Sequence, residues 1–391
     1  MKLSQLVLAL LLALLATSCV YKGKDTGGAA TQTPAAKPVL SACLVRTDLG
    51  LGDGFFVREA DAALTELAKA GRITYLSSGE LPRERVLEGG AGDIAMPDQY
   101  SKEPGSMTLE QARKLVAAAP ASDLLILSTP LLLDSALKGI TGGKPRAKAV
   151  LILDNEGLTK LPATPSVPVY YVRYDIRPAA FLCGIAAAAS SNTGMFIVMG
   201  TSADPQVEDF LTAVEAGLKS FTNGAQVYSV VVRADAEGLI SADAFNRSRA
   251  AVLKAAGSYF ACDHYVFSLG RATPTAMYAM TQKPVNGYVA GAYADYRIVR
   301  RARVLGCALK HPGAALRYIF GQQALVQGAA GLKLIAPGGV VNVGLDQDAV
   351  GFTTFELYSR YNTDGDDLKK AVEENLAEIR SGEQQDYPFK D

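Results

Sequence analysis

The stretch LGLGDGFFVREADAALTEL, running from Leu49 to Leu67, sets one carboxylate, Asp53, between two glycines. It follows an apolar run and precedes a helical pattern. Asp53 is therefore expected at the mouth of a strand-to-helix turn, a place where ligands are often held. Its neighbours Phe55, Phe56, Val57 and Arg58 are an odd set for gripping anything polar. No Lys-Ser or Lys-Thr follows the glycines, so this is not a Walker-type phosphate loop. The segment NTDGDDLKKAVE, ending at Glu373, has oxygen side chains at calcium-loop positions, but its Gly comes at the fourth place and Lys370 intrudes. A turn followed by an Asp N-cap explains it better. No GxSxG or HExxH occurs, and only His264 and His311 could supply imidazole, which argues against a zinc site and against an enzyme. Cys43, Cys183, Cys262 and Cys307 each sit in an apolar segment with no CxxC pair, the setting of small buried thiols. What remains is binding chemistry, with no cofactor implied.

The composition narrows the partner. Of 391 residues, 49% are hydrophobic, and Lys+Arg and Asp+Glu are both 39, a balance that argues against a nucleic-acid binder, which needs a basic face. The first residues, MKLSQ, carry Lys2, an apolar run follows from Leu6 to Ala16, and small residues lead to Cys19. The run is too short to cross a bilayer core of about 30 Å. It reads as an export signal over residues 1–18, and a Cys after small residues resembles the bacterial lipobox, with Cys19 as the lipidated first residue. Removing residues 1–18 takes away only Lys2, so the mature net charge is 38 − 39 = −1. Residues 19–38 are small, polar and rich in Pro and Gly, and read as a tether.

Downstream, continuous apolar runs alternate with helical patterns. Residues 39–47, 122–130, 147–155, 167–175, 195–200 and 263–270 read as strands, mostly buried on both faces. Helical spacing falls at Ala60, Ala63, Leu64 and Leu67, again at Val207, Phe210, Leu211 and Leu218, and finally at Leu368, Val372, Leu376 and Ile379. About a dozen such elements exceed one open sheet and point to an α/β protein of two lobes. In doubly wound sheets ligands sit at the carboxyl ends of strands. Asp53, Ser128, Asp154, Arg233, Gly270 and the GAYAD segment after Gly291 are therefore the binding candidates, with helix capping or turn formation as the alternative role for each.

The segment RPAAFLCGIAAAASSNTGMFIVMG resembles a signature of the basic membrane protein family, bacterial lipoproteins that serve as substrate-binding subunits of ABC importers, several of which bind purine nucleosides. The family pattern is a Phe-Leu-Ala-Gly helix start, an Ala-rich helix, Lys-Thr-Gly, and a strand ending in Gly-Gly. Here stand Phe181, Leu182, Cys183 and Gly184, then Asn192, Thr193, Gly194 and Gly200. ADPQVEDFLTAVEAGLKS, RVLGCALKHPGAALRYI, GGVVNVGLDQDAVGF and the opening LGDGFF look like further family segments in the same order. The resemblance implies a type I periplasmic-binding-protein fold, two doubly wound parallel-sheet lobes with a hinge and a ligand cleft. It sets crossings near Asp175, near Gly291–Asp295 and near Lys310. Lobe one would comprise residues 39–174 and 292–308, and lobe two 175–291 and 309–391. The implied partners are a small-molecule ligand, an ABC permease complex, and a membrane through lipidated Cys19.

Departures from the pattern bear on the ligand. Asp53 and Phe56 match the family's first loop, but its Asn position is Val57. The Asp that grips ribose hydroxyls falls on Tyr293, and losing charged hydrogen bonds of that kind costs about 1.5–3 kcal/mol each. A Gly-rich turn near the ligand is GRATPT here, with Gly270 followed by the bulky cation Arg271. Lys310 matches a family lysine that faces the cleft. Arg271 and Lys310 point to a ligand shifted from a standard nucleoside towards an anionic molecule. The competing expectation is a degenerate cleft on a surface lipoprotein that serves protein interaction or sensing.

Overall fold

The computed structural model describes residues 39–49, 51–83, 106–141, 147–154, 167–235, 240–257, 262–281, 287–296, 302–321, 325–328, 331–334, 339–353, 362, 364–384, 387 and 389. The signal, Cys19 and the tether lie outside these residues. Among the described residues no helix is long and apolar enough to cross a membrane.

The first sheet is built from β1 (Leu40–Val45), β2 (Ile73–Ser78), β3 (Ser122–Leu127), β4 (Ala147–Ile152) and β5 (Val169–Tyr174). The runs LSACLV, SDLLIL and AKAVLI are buried almost throughout, as strands covered on both faces must be. Helices α1 (Leu51–Lys69), α2 (Leu109–Ala118) and α3 (Leu133–Thr141) connect them. Helix α2 starts at a capping box in which Thr108 and Gln111 satisfy each other's backbone N–H groups. Helix α1 begins at Leu51, earlier than its apolar spacing alone suggests, so Asp53 lies in its first turn rather than in a loop.

The second sheet repeats the plan with β6 (Met195–Thr201), β7 (Gln226–Val232), β8 (His264–Ser268), β9 (Tyr288–Tyr293) and β10 (Val304–Lys310). Helices α4 (Arg177–Ser190), α5 (Val207–Phe221), α6 (Ala242–Ala255) and α7 (Thr273–Thr281) accompany it. Helices α4 and α5 touch backbone to backbone. A Cβ at Gly184 would lie 2.3 Å from Val214 O, and one at Gly217 would lie 2.1 Å from Phe181 O. The glycine of the Phe-Leu-Cys-Gly signature is thus a packing requirement.

The remaining chain shuttles between lobes. Helix α8 (Pro312–Gly321) packs on α1, a small antiparallel hairpin joins β11 (Leu325–Gly328) to β12 (Gly331–Leu334), and β13 (Val340–Val343) pairs parallel with β5. After a 3-10 turn at Leu345–Gln347, β14 (Val350–Phe352) pairs antiparallel with β10, and α9 (Gly365–Ser381) packs on α4. The strand orders are β2-β1-β3-β4-β5-β13 and β7-β6-β8-β9-β10-β14. Each is a doubly wound 2-1-3-4-5 order with one returning strand added, the two-lobed α/β architecture of type I periplasmic-binding proteins.

Two expected crossings need correction. The chain does cross at Asp175, but it does not leave the second sheet at Gly291–Asp295. β10 runs parallel beside β9, Leu309 opposite Tyr293, so residues 304–308 belong to lobe two. The second crossing is at Lys310–Pro312 and the third at Gly344–Ala349, which returns 312–321 and 340–343 to lobe one. Direct pairing of β9 with β10 satisfies both backbones, and a crossing at Tyr293 would have left β9 without that neighbour. The crossings lie side by side: Asp175 N donates to Val343 O (2.8 Å) and His311 N to Ala349 O (2.8 Å). One apolar cluster runs through both lobes, from Leu44, Leu64 and Tyr174 to Phe181, Ala290 and Tyr293.

Candidate functional site

The carboxyl ends of the two sheets each present a row of polar side chains. In lobe one the neighbouring strands β1, β3, β4 and β5 end at Thr47, Ser128, Asp154 and Tyr174; in lobe two β6, β8, β9 and β10 end at Asp204, Ser268, Tyr293 and Lys310. Apart from partly exposed Asp154, all are buried. Strand order, not chain order, makes each row, because parallel strands bring their carboxyl ends to one edge.

The rows meet. Lys310 Nζ, 1% exposed, crosses to the Asp154 carboxylate at 2.9 and 3.2 Å. It also lies 3.6 Å from the centroid of Tyr293 and 5.5 Å from that of Tyr174, a cation between two aromatic faces. Ser268 Oγ donates to Tyr293 Oη (2.8 Å), and Tyr293 Oη donates to Asp204 Oδ2. Gln206 ties the lobes a second time: its backbone N donates to Asp204 Oδ1 (2.8 Å) and its Nε2 to Tyr174 O (3.1 Å). Burial pushes the Asp204 carboxyl up to about 6, against the opposing pull of Lys310 and the Gln206 N–H and with help from Asp154. Burial likewise drives the Tyr174 phenol well above its ordinary range, reinforced by Asp154 and Glu59. Tyr293 has φ 88°, a left-handed conformation that costs a bulky residue about 1–3 kcal/mol and that collects at functional sites.

The structure gathers Ser128, Asp154, Tyr293 and Lys310 of the sequence candidates into these rows. Ser128 shares a 2.8 Å hydrogen bond with Thr47 Oγ1. Phe56 is buried edge-on against Tyr174, with centroids 6.1 Å apart. Its neighbour Phe55 reaches further and packs against the lobe-two core. Asp53 serves its own turn: its Oδ2 accepts from Leu49 N at 2.8 Å and closes the entry into α1. Gly270 opens a 3-10 turn with φ 56° that touches α1 across the lobes. Arg271 belongs to that turn, but its side chain lies outside the described residues. Arg233 is exposed past the edge strand β7.

Asp204, Gln206 and Tyr174 escaped the sequence reading. Tyr174 and Asp204 each fell inside or beside a quoted segment, and only the rule that strand ends face the ligand could have singled them out. The expected pull of Lys310 towards an anion is also changed, because Asp154 already compensates its charge.

Two other places draw notice. Ser190 Oγ lies 2.9 Å from His264 Nε2, and His264 Nδ1 lies 2.7 Å from Asp263 Oδ1, the connectivity of a hydrolase triad. His264 is wholly buried beside Tyr288 and Phe196, and Ser190 Oγ turns to Ala186 O at 2.9 Å. The group sits at the amino end of β8 and ties α4 to the sheet. Burial opposes ionisation of Asp263, but hydrogen bonds from His264, Thr193 and Asn192 N outweigh it and hold the carboxyl at about 2. A groove of about 560 Å³ lies at the crossings, with Asp175, Gly344, Gln347, Tyr387 and Phe389 in its wall. The described thiols are buried and form no disulfide, and burial pushes Cys43 and Cys262 up to about 11 and Cys183 to about 12, so these three stay protonated. Among the described residues no His, Cys, Asp or Glu group could hold a metal.

Fold and strand-end rows together define a two-lobed α/β protein of the type I periplasmic-binding class. No family model and no curated protein matches the chain. Among solved structures it is similar to an ABC transporter system solute-binding protein from Conexibacter woesei DSM 14684 (17% identity, 88% of this chain and 97% of that one, TM-score 0.47). It is also similar to one from Aeropyrum pernix K1 (14%, 88% and 92%, TM-score 0.49) and to a transcriptional activator of the comK gene from Bacillus halodurans (12%, 88% and 98%, TM-score 0.49). The strand orders of the two sheets carry the fold assignment.

Proposed function

We propose that this protein binds a small molecule between its lobes and serves as the substrate-binding lipoprotein of an ABC-type importer, exported and held on a bacterial membrane by lipid at Cys19. The observation that carries the reading is the meeting of the two strand-end rows through the Lys310–Asp154 pair. Buried polar groups concentrated at the carboxyl edges of both sheets are what a two-lobed binding protein needs there, and hinge crossings let a ligand bias closure. Kinship with the basic membrane protein family fits the motifs quoted above. Asp154, Tyr293, Lys310 and Ser128 are the proposed ligand-facing residues, with Phe56 as a wall and Gly270 and Arg271 at the rim.

Native mass spectrometry of the purified chain, before and after mild denaturation, tests the binding claim. Release of a defined small molecule, or stabilisation by a nucleoside or sugar, is the expected result. One observation favours the second reading, a surface lipoprotein with a degenerate cleft: Lys310 is held by the protein's own Asp154 and Tyr293. A cleft that neither releases nor accepts any small molecule would count against binding and in favour of that alternative. Labelling with a radioactive fatty acid that is lost in Cys19→Ser tests the anchor.

A further inference from the structure

The groove at the crossings is a different place from the strand ends: none of the residues of the two polar rows lines it. Its volume, about 560 Å³, falls within the range of ligand pockets, roughly 300–1,000 Å³. Lobe one contributes Val343 of β13 to the wall and lobe two contributes Ile379 of α9. The crossings contribute Asp175 and Asp346, and the chain beyond α9 adds Tyr387 and Phe389. The two rings form one aromatic surface on α4. Tyr387 stands edge-on to Phe181 with centroids 5.5 Å apart, and Phe389 edge-on to Tyr387 at 5.7 Å.

The charge of this wall is one-sided. Among the described residues two carboxylates line the groove and no Lys, Arg or His does. Asp175 is already answered: Arg177 Nε and Nη2 donate to its two oxygens at 2.6 and 2.8 Å. The same guanidinium lies 5.0 Å from the Phe389 ring centroid. Asp346 is exposed and has no hydrogen bond or ion pair among the described residues. The groove therefore joins one uncompensated negative charge to aromatic and aliphatic surface. That charge repels an anion, and a neutral apolar molecule leaves it unanswered. An ammonium on an apolar body answers the carboxylate and covers the rings. We propose that the groove is a second binding site, separate from the strand ends, for a small amine with an aromatic or aliphatic body, paired with Asp346 and seated against Tyr387 and Phe389. Its walls come from both lobes and from two crossings, so an occupant senses their relative angle and biases it.

The test is calorimetric titration of the full chain in detergent with tryptamine, and with indole-3-ethanol and indole-3-acetate, which keep the ring and change the charge. Tryptamine is expected to bind saturably and the other two about fivefold more weakly or less, the factor set by one exposed charge pair. Asp346→Asn, a change at an exposed side chain, should weaken tryptamine by the same factor and leave indole-3-ethanol unaffected. Arg177→Met uncovers the Asp175 carboxylate and should tighten tryptamine instead. Hydrogen exchange locates the site. Saturation with tryptamine should protect residues 172–178 and 340–347, where Asp175 N donates to Val343 O, and not the strand ends at 150–154 and 201–206. Failure of tryptamine to bind, equal affinity for the three indoles, or binding indifferent to Asp346→Asn overturns the inference. Protection confined to the strand ends also overturns it, while still supporting a small molecule between the lobes.

Discussion

Asp204→Asn separates the electrostatics of the cleft from its packing. Buried Asp204 titrates at about 6 against an ordinary value of 3.8. A carboxyl raised on folding gives stability that is fully present below its unfolded value and lost as pH rises through its folded value. Ionising it in the native protein therefore costs about 3 kcal/mol by pH 7, an upper figure from the difference between the two values. Asn removes that cost and keeps the geometry: its amide oxygen can still accept from Gln206 N, and its NH₂ can donate to Tyr293 Oη, which then donates to Ser268 Oγ. The two proteins should differ by a constant amount below about pH 3, and the difference should shift by about 3 kcal/mol in favour of Asn by about pH 7, then level off. Urea unfolding of ligand-free protein at closely spaced pH values measures this directly. A difference that stays flat across the range refutes the claim that Asp204 is a buried carboxylate in tension with its surroundings. Tyr293→Phe removes a donor to the charged form and should move the midpoint of the wild-type curve to higher pH.

Other perturbations address the rest of the frame. Lys310→Met strands the carboxylates Asp154 and Asp204 and should destabilise the protein by about 3–5 kcal/mol, whereas Lys310→Met with Asp154→Asn should cost clearly less than the sum of the single changes; a denaturant double-mutant cycle reads the coupling. Gly217→Ala puts a methyl where Phe181 O lies 2.1 Å from the built Cβ, so helices α4 and α5 must part; a loss of several kcal/mol or of soluble protein is expected, and a neutral result would mean the two helices do not touch as described. Asp263→Asn should cost about 1–2 kcal/mol at neutral pH after allowance for screening. That cost should vanish as pH falls through 3.8 towards about 2, because a depressed carboxyl contributes stability only while ionised. Thiol reagents should leave Cys43, Cys183, Cys262 and Cys307 unmodified until the chain is unfolded, as mass spectrometry would show.

The sequence alone determined the strands and most helices, because continuous apolar runs can be satisfied only by a sheet covered on both sides and Val207, Phe210, Leu211 and Leu218 only by a helix face. It also set Ser128, Asp154 and the GAYAD segment with Tyr293 where apolar runs end, whereas Lys310 was marked only by the family resemblance. For Asp53 it left ligand binding and turn formation both open, and the carboxylate answers a backbone N–H four residues earlier. Only the tertiary structure decided that β10 stays beside β9, since either lobe could have accepted an equally apolar strand. Tertiary structure likewise decided that Asp204, 89 residues from Tyr293, stands at the tip of its phenol. Strand order is fixed by long-range pairing that leaves no mark in local pattern, so which strand ends become neighbours, and which charges compensate one another, emerges only when the sheets are assembled.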